Sequence, residues 1–137
     1  MINIGVVGSR RRDSQNDYLS LLGEIIHRIG IYGIENITLV SGGCKQGADR
    51  FAELIHRRLK FPLHMIIHYP DICNETYLTM KTKNYRVAYA IIAYARNTLI
   101  ARDSDELIAL VASDRKGGTE DTIRKFMKMK NKKPILL

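Results

Sequence analysis

The sequence predicts a doubly wound, Rossmann-like α/β fold, in which a parallel sheet of about five strands carries helices on both faces. Apolar runs rich in β-branched residues alternate along the chain with segments whose apolar residues recur at helical spacing. Glycine-rich turns follow three of these runs. Such alternation is typical of parallel strands joined by crossover helices. The 137 residues, 45% of them hydrophobic, are enough for a single domain spanning residues 1–137.

The first half of the chain predicts three strands and two helices. Residues 2–7, 37–40 and 63–68 are the apolar runs that predict strands. Asp13 or Ser14 can cap the first helix, and Gly30 and Gly33 are expected to end it. The apolar faces of the two helices are Tyr18, Leu21, Leu22, Ile25, Ile26 and Ile29 in the first, and Ala48, Phe51, Ala52, Ile55 and Leu59 in the second.

The second half begins with a polar stretch, residues 71–84, that has no clear period and is expected to be a lid or an excursion over the site. A long helix follows and ends near Arg102 and Asp103. Residues 106–112 and 134–137 predict the last two strands, and Gly117-Gly118-Thr119 opens the helix between them. The residues expected to be buried are Ala88, Ile91, Ile92, Ala95 and Leu99 in the long helix, and Ile123, Phe126 and Met127 in the last.

Composition limits the kinds of partner. The net charge of +8, from 22 basic and 14 acidic residues, favours anionic partners such as nucleotides, nucleic acid or an acidic protein. Basic residues at 57–60 and 124–133 are also typical of solvated helix C-termini. No apolar run approaches the roughly 20 residues of a membrane span, and the chain starts with a strand pattern instead of a leader. We therefore expect a cytoplasmic protein with no membrane partner.

Cysteine and histidine give no metal pattern. Cys44 and Cys73 are too few for a disulfide framework and lack zinc-binding spacing, so we expect free thiols. The four histidines do not form a metal-binding motif either. We expect neither a metal nor a cofactor.

The stretch of residues 41–49, SGGCKQGAD, joins the second strand to the second helix. Glycine lets a backbone fold tightly and expose its N–H groups, and a helix start adds unpaired N–H groups and a positive dipole end, which favours a bound anion. The stretch is neither a Walker A loop nor a GxGxxG fingerprint, and a tight connection without a ligand is the alternative. Parallel strands end at one edge, so the turns at Gly8, Gly42 and Gly117 are predicted to converge on one anion site.

Four short motifs together carry a resemblance to a known family. They are GSR after the first strand, SGGCKQGAD after the second, ARN in the long helix and GGT before the last helix. In this order they resemble the SLOG superfamily, a Rossmann-like group that includes DprA/Smf proteins, the Lonely Guy phosphoribohydrolases and the small YspA-like proteins, to which the chain is most similar. The resemblance implies binding of a nucleotide or a nucleotide-derived phosphorylated ligand. It also implies a homodimer, because family members often pair through helices.

The resemblance further implies a set of ligand-binding residues drawn from these motifs. They are Gly8, Ser9, Arg10, Ser41, Gly42, Gly43, Gly47, Asp49, Arg96, Asn97, Gly117, Gly118 and Thr119. Among them, the last three are expected to grip the phosphate through N–H groups and a hydroxyl. Arg96 is expected to pair with a phosphate or carboxylate, the alternative being an ion pair with Asp103 or Glu106.

Catalysis is where the sequence departs from the family. The phosphoribohydrolases carry a glutamate three residues after the threonine of their GGxGT motif, and Thr122 stands there in this chain. Cleavage of an N-glycosidic bond needs a carboxylate near the ribose, and the candidates Asp49, Asp114 and Glu120 do not match that position. We therefore expect a non-catalytic binder that acts as a sensor or carrier. A nucleotide N-glycosidase and a DprA-like nucleic-acid binder are the alternatives, and the second lacks aromatic residues interleaved with its basic stretches.

Overall fold

The computed structural model describes all 137 residues and contains five strands and five helices. The strands are Ile2–Gly8 (β1), Ile37–Ser41 (β2), His64–Ile67 (β3), Glu106–Leu110 (β4) and Ile135–Leu136 (β5). The helices are Gln15–Tyr32 (α1), Ala48–Leu59 (α2), Glu75–Met80 (α3), Tyr85–Asp103 (α4) and Gly118–Lys130 (α5), with a 3₁₀ turn at Ile34–Asn36 before β2. No helix is both long and apolar enough to cross a membrane.

The five strands form one parallel sheet in the order β3-β2-β1-β4-β5. This confirms the predicted fold class. In register, Ile4 lies opposite Leu39 of β2, and Gly8 lies opposite Leu110 of β4. The chain builds outward from β1 through β2 to β3 and then returns to the other side of β1 as β4. The strand order thus reverses between β1 and β4, where parallel α/β sheets open a crevice at the C-terminal ends of the strands.

Helices cover both faces of the sheet because successive strand residues point to opposite sides. On one face, Ile4 and Val6 of β1 pack in a cluster with Leu21 and Ile25 of α1 and with Phe51 of α2. On the other face, Val7 and Leu107 pack with Ile100 of α4 and with Ile123 and Phe126 of α5. All five residues of β2 and of β4 are buried, as a central strand covered on both faces requires.

One of the two predicted N-caps of α1 is confirmed, and the prediction for its C-terminal end needs correction at Gly30. Ser14, not Asp13, caps α1. Its hydroxyl accepts the Asp17 N–H at 3.1 Å, and Asp17 Oδ2 accepts the Ser14 N–H at 3.1 Å. Gly30 does not end α1, because the helix continues to Tyr32 and Gly33 closes it with φ of 84°. A helix tolerates an interior glycine at a cost of about 1 kcal/mol when its apolar face is packed.

The stretch of residues 71–84, expected to be a lid or an excursion over the site, contains α3. Its six residues are too few to produce a visible period, but Asn74 caps it by accepting the Tyr77 N–H at 3.0 Å. Tyr77 packs against Ala88 and Ile92 of α4. The segment is therefore a short helix docked on α4.

The buried faces of α4 and α5 also differ from those predicted. Ile91 is 38% exposed and Met127 is 43% exposed. In α4 the buried residues shift from Ala88 and Ile92, which meet α3, to Asn97, Ile100 and Ala101. In α5, Phe126 faces the sheet, and Met127 lies about 100° further around the helix.

Candidate functional site

A cavity of about 390 Å³ opens at the C-terminal ends of β1 and β4, where the strand order reverses. The first loop leaves β1 at Gly8, and Ser9 N–H donates to Leu110 O at 3.0 Å, which ties this loop to the end of β4. The cavity is lined by Val7, Gly8, Ser9, Arg10, Arg11, Cys44, Asp49, Arg86, Tyr89, Ala90, Ala93, Tyr94, Arg96, Asn97, Ile100, Lys116, Gly117, Gly118, Thr119 and Thr122. Its volume falls within the range of small-molecule sites.

The N-terminus of α5 forms one end of the cavity. Gly117 is the N-cap with φ of 115°, and no side chain caps this helix. The N–H groups of Gly117, Gly118 and Thr119 donate to no other group of the protein. A Cβ atom placed on Gly117 would meet nothing within 4 Å, so the backbone here faces open space. Unpaired N–H groups at the positive end of a helix dipole attract an anion.

Cations surround this end of the cavity. Arg10, Arg11 and Lys116 lie on the loops that follow β1 and β4, and Arg86 lies on α4. Arg11 is paired with Asp114, whose hydrogen bond and charge raise the pKa of the arginine. Asp49 is the only carboxylate among the lining residues. The local charge therefore favours an anionic ligand.

Asp49 lies in the first turn of α2 and reaches the cavity wall. Its Oδ1 accepts the Ser41 hydroxyl at 3.1 Å, and its Oδ2 accepts the Cys44 N–H at 3.0 Å. Burial raises the pKa of this half-buried carboxyl group, against the opposing effects of the Cys44 N–H, the Arg96 charge and the Ser41 hydroxyl. Asp49 therefore stabilises its loop through these hydrogen bonds and also presents a polar group to the cavity.

The glycines of the SGGCKQGAD loop lie behind the cavity wall. Only Cys44 and Asp49 of this loop line the cavity, whereas Ser41, Gly42, Gly43 and Gly47 do not. Gly47, with φ of 71°, donates its N–H to Asp13 at 2.8 Å, and a Cβ there would lie 2.8 Å from the Ser9 carbonyl oxygen. The glycine at 47 therefore permits the close packing of two loops, and its donor is already used.

Gly42 and Gly43 have similar packing roles. A Cβ on Gly42 would lie 2.6 Å from Arg96 Nη1, and one on Gly43 would lie 2.5 Å from the ring of Tyr69. Of the five ligand-binding residues predicted in this loop, only Asp49 lines the cavity, and Cys44 lines it in addition.

Arg96 is held in place by the protein itself. Its Nη1 donates to the Gly42 carbonyl oxygen, and its Nε donates to Asn97 Oδ1 at 3.0 Å. It forms no ion pair with Asp103 or Glu106, which are bound instead by Arg102 and Arg28. Two of its five N–H donors are occupied, so the second N–H of Nη1 and both of Nη2 remain for a ligand.

Asn97 connects α4 to the start of α5. It is 5% exposed, and its amide Nδ2 donates to Gly118 O and to Asp121 Oδ2, each at 3.2 Å. Because its oxygen accepts from Arg96, the side chain is fully engaged with the protein. Asn97 lines the cavity, but its bonds position the N-terminus of α5.

Two of the three candidate catalytic carboxylates lie off the cavity wall. Asp114 is paired with Arg11 at 2.7 Å, and Glu120 is paired with Arg115 at 2.9 Å. Neither lines the cavity, whereas Asp49 does. Thr122, at the position of the family glutamate, is buried on the wall. A catalytic role for a carboxylate in this cavity is therefore restricted to Asp49.

Sequence reasoning missed the wall that α4 contributes. Arg86, Tyr89, Ala90, Ala93 and Tyr94 line the cavity from this helix. Positions 86, 90, 93 and 97 recur at the spacing of one helix face, with alanine at the middle two. The small residues leave room beside the two tyrosine rings, and this stripe was the available signal.

Comparisons of the chain with protein-family models, with curated proteins and with solved structures found no match. The resemblance to the SLOG superfamily therefore stays a prediction.

Proposed function

We propose that the protein binds a nucleotide or a nucleotide-derived phosphorylated ligand in the cavity between the ends of β1 and β4, as a sensor or carrier. The observation that carries this proposal is the start of α5, where three unpaired N–H groups face a cationic cavity. The SLOG-like motifs predict the same class of ligand.

The phosphate belongs at the α5 end of the cavity in this proposal. Gly117, Gly118 and Thr119 supply backbone N–H groups there, and Thr119 adds a hydroxyl. Lys116 adds a positive charge one residue before the N-cap. Hydrogen bonds from cationic and backbone donors to a phosphate are stronger than bonds between neutral groups.

The rest of a nucleotide is matched by the other walls. Tyr89 and Tyr94, with Ala90 and Ala93 on the same helix, offer an aromatic and apolar surface for a base. Asp49 supplies an acceptor for ribose hydroxyl groups or for an exocyclic amine. The ligand class follows from this combination of an anion end, an apolar wall and a single acceptor.

Thermal unfolding with a panel of nucleotides and nucleotide sugars tests the proposal. A ligand at 100 times its Kd stabilises the protein by about 2.7 kcal/mol, so millimolar ligand detects a Kd of about 10 μM. Lys116→Ala should weaken binding by roughly tenfold, as loss of a charge-assisted bond does. Lys128→Ala, which changes an exposed lysine in the last turn of the same helix, is the matched control. If no ligand of the panel stabilises the wild type, the proposal is wrong.

The position of Asp49 favours one second candidate, a nucleotide N-glycosidase. Half-buried carboxylates with a raised pKa on a cavity wall are a common feature of acid–base sites. Incubation with nucleoside monophosphates followed by chromatography would detect the released base. Release that is lost in Asp49→Asn would favour this enzyme, and absence of free base with every common nucleotide would exclude it.

A further inference from the structure

An ion pair joins the two loops at the mouth of the cavity. Arg11, in the loop after β1, donates from Nη1 to Asp114 Oδ2 at 3.0 Å and from Nη2 to Asp114 Oδ1 at 2.7 Å. Asp114 lies in the loop after β4. Arg11 lines the cavity and Asp114 does not. The guanidinium group is therefore shared between a carboxylate outside the cavity and the cavity itself.

The guanidinium group of Arg11 also lies next to the cationic end of the cavity. Its Nη2 is 3.5 Å from the carbonyl oxygen of Lys116, whose own side chain forms no ion pair there. A phosphate group bound beside Lys116 would therefore lie close to the Arg11 guanidinium group.

The ion pair between Arg11 and Asp114 competes only weakly with a phosphate for the guanidinium group. The side chains of Arg11 and Asp114 are 58% and 44% exposed, and pairs exposed to this degree contribute little to stability. A phosphate dianion offers the same planar fork more charge and more acceptor atoms than a carboxylate does. Transfer of the Arg11 guanidinium group from Asp114 to a phosphate therefore favours ligand binding. Transfer to a singly charged carboxylate of a ligand has no such advantage.

We propose that ligand binding transfers the Arg11 guanidinium from Asp114 to the ligand's phosphate group, so that this pair selects dianionic ligands. The inference rests on the proposed function, because it requires an anion in this cavity. Arg11 is then a ligand-contacting residue outside the motif set, and Asp114 is an internal competitor that lowers affinity.

The chain offers well-matched variants for this proposal. Asp114→Asn removes the charge but keeps an oxygen that can accept the Lys116 N–H, as Asp114 Oδ1 does at 3.1 Å, so the loop retains its turn. Arg11→Gln removes the guanidinium group for which Asp114 and the ligand compete. Glu120→Gln is the control, since it removes a carboxylate charge from a neighbouring ion pair, with Arg115, whose members do not line the cavity.

Calorimetric titration with inorganic pyrophosphate at low ionic strength measures the effect. We expect Asp114→Asn to bind roughly two- to fivefold more tightly than the wild type, which is the range that exposed ion pairs produce. Arg11→Gln should bind about tenfold more weakly, and Glu120→Gln should bind like the wild type. In the Arg11→Gln background, Asp114→Asn should produce a smaller gain, because the competition is gone.

Three results would overturn the inference. They are an unchanged affinity in Asp114→Asn, an equal gain from Asp114→Asn with and without Arg11, and no binding of pyrophosphate by the wild type. The proposed function falls separately, when the whole nucleotide panel fails to stabilise the protein. A nucleotide that binds the wild type and Asp114→Asn equally well overturns the exchange of partners alone.

Discussion

Asp49 links the second glycine loop to the cavity wall. Its carboxylate collects the Ser41 hydroxyl and the Cys44 N–H, and it does so in a half-buried position where an ionised group is poorly solvated. Hydrogen bonds stabilise the ionised carboxylate, and burial destabilises it. The direction of its pKa shift shows that burial dominates.

The first prediction concerns the pH dependence of stability in Asp49→Asn. Because the folded state raises the pKa of Asp49, it binds the proton more tightly than the unfolded chain does. The contribution of Asp49 to the stability of the wild type therefore decreases as pH rises from the ordinary value of 3.8 through the raised pKa, and the variant lacks this contribution. Urea unfolding at a series of pH values measures the free energy of unfolding of both proteins. The difference between them should shift in favour of the variant through this pH window and then stay constant.

Asp103→Asn is the control with the opposite sign. The hydrogen bond from Arg102 lowers the pKa of Asp103. The wild type should therefore exceed this variant in stability above pH 3.8, and the advantage should vanish as pH falls through the lowered pKa. Parallel curves for Asp49→Asn and the wild type would contradict the burial argument.

A second prediction compares two glycines. Gly47→Ala introduces a Cβ 2.8 Å from the Ser9 carbonyl oxygen at a φ of 71°, so we expect a loss of about 1–3 kcal/mol in the free energy of unfolding. Gly30→Ala lies inside α1 with open space around its Cβ, so we expect a gain of about 0.5–1 kcal/mol. Equal effects of the two substitutions in urea unfolding would show that Gly47 is not needed for loop packing.

Glycine positions could be predicted from the sequence, but their individual roles could not. Gly47 and Gly117 both precede helices and look alike in the sequence. The difference is a distant residue: Asp13 occupies the Gly47 N–H, and nothing occupies that of Gly117. Sequence reasoning located the turns correctly and could not tell which of them keeps its donors free.

At the scale of elements, α4 and α5 place the site. Asn97 joins them through bonds to Gly118 and Asp121, and Lys125 of α5 donates to the Tyr94 carbonyl oxygen of α4 at 2.8 Å. These contacts hold the start of α5 against the cavity. The orientation of the free N–H groups at the start of α5 therefore depends on a buried side chain in another helix.

The third prediction follows for Asn97→Ala. The substitution leaves the Gly118 carbonyl oxygen and the Asp121 carboxylate without this partner, so we expect a loss of about 1–3 kcal/mol in stability. Hydrogen exchange should become faster in the first turn of α5 and stay unchanged in α1. Thr98→Ala, which removes only a local bond to Tyr94 O, is the control. Unchanged exchange in α5 would show that Asn97 does not position this turn.

Element predictions from the sequence succeeded where one apolar face meets one partner. The faces of α1 and α2 lie against the sheet as predicted, except that Ile26 of α1 is 52% exposed. The face of α4 could not be predicted, because its two halves meet α3 and the sheet in turn. The short α3 gave only a capping signal, Asn74.

At the scale of the whole molecule, the charge of +8 is spread over loops and helix ends. Exposed lysines cluster at the C-terminus of α5, while the cavity has its own group of cations on the loops after β1 and β4. Part of the excess charge thus serves the cavity. The remainder is a general surface field.

The fourth prediction addresses nucleic acid. Fluorescence anisotropy with labelled single-stranded DNA should detect weak binding at low salt that is lost as salt increases, because only phosphate neutralisation contributes. A single nucleotide bound in the cavity should lose less affinity over the same range. Tight binding of DNA that survives high salt would instead favour the DprA-like alternative.

The fold as a whole could be predicted because its signals are redundant. Strands and helices alternate throughout, and the right-handedness of each crossover restricts where the next strand can join the sheet. The cavity could be placed at the C-terminal edge for the same reason. Its chemistry depends on side chains such as Arg11, Tyr89 and Lys116, which come from separate loops and from α4 and have no local pattern in the sequence.

The central claim is that a phosphorylated ligand binds at the start of α5. Nuclear magnetic resonance titration of ¹⁵N-labelled protein with the nucleotide that stabilises it most tests this claim directly. We expect the largest amide shifts at Gly117, Gly118 and Thr119, whose N–H groups are free, with smaller shifts at Ser9 and Arg11. Shifts confined to residues 41–47, or the absence of shifts at the start of α5, would contradict the account.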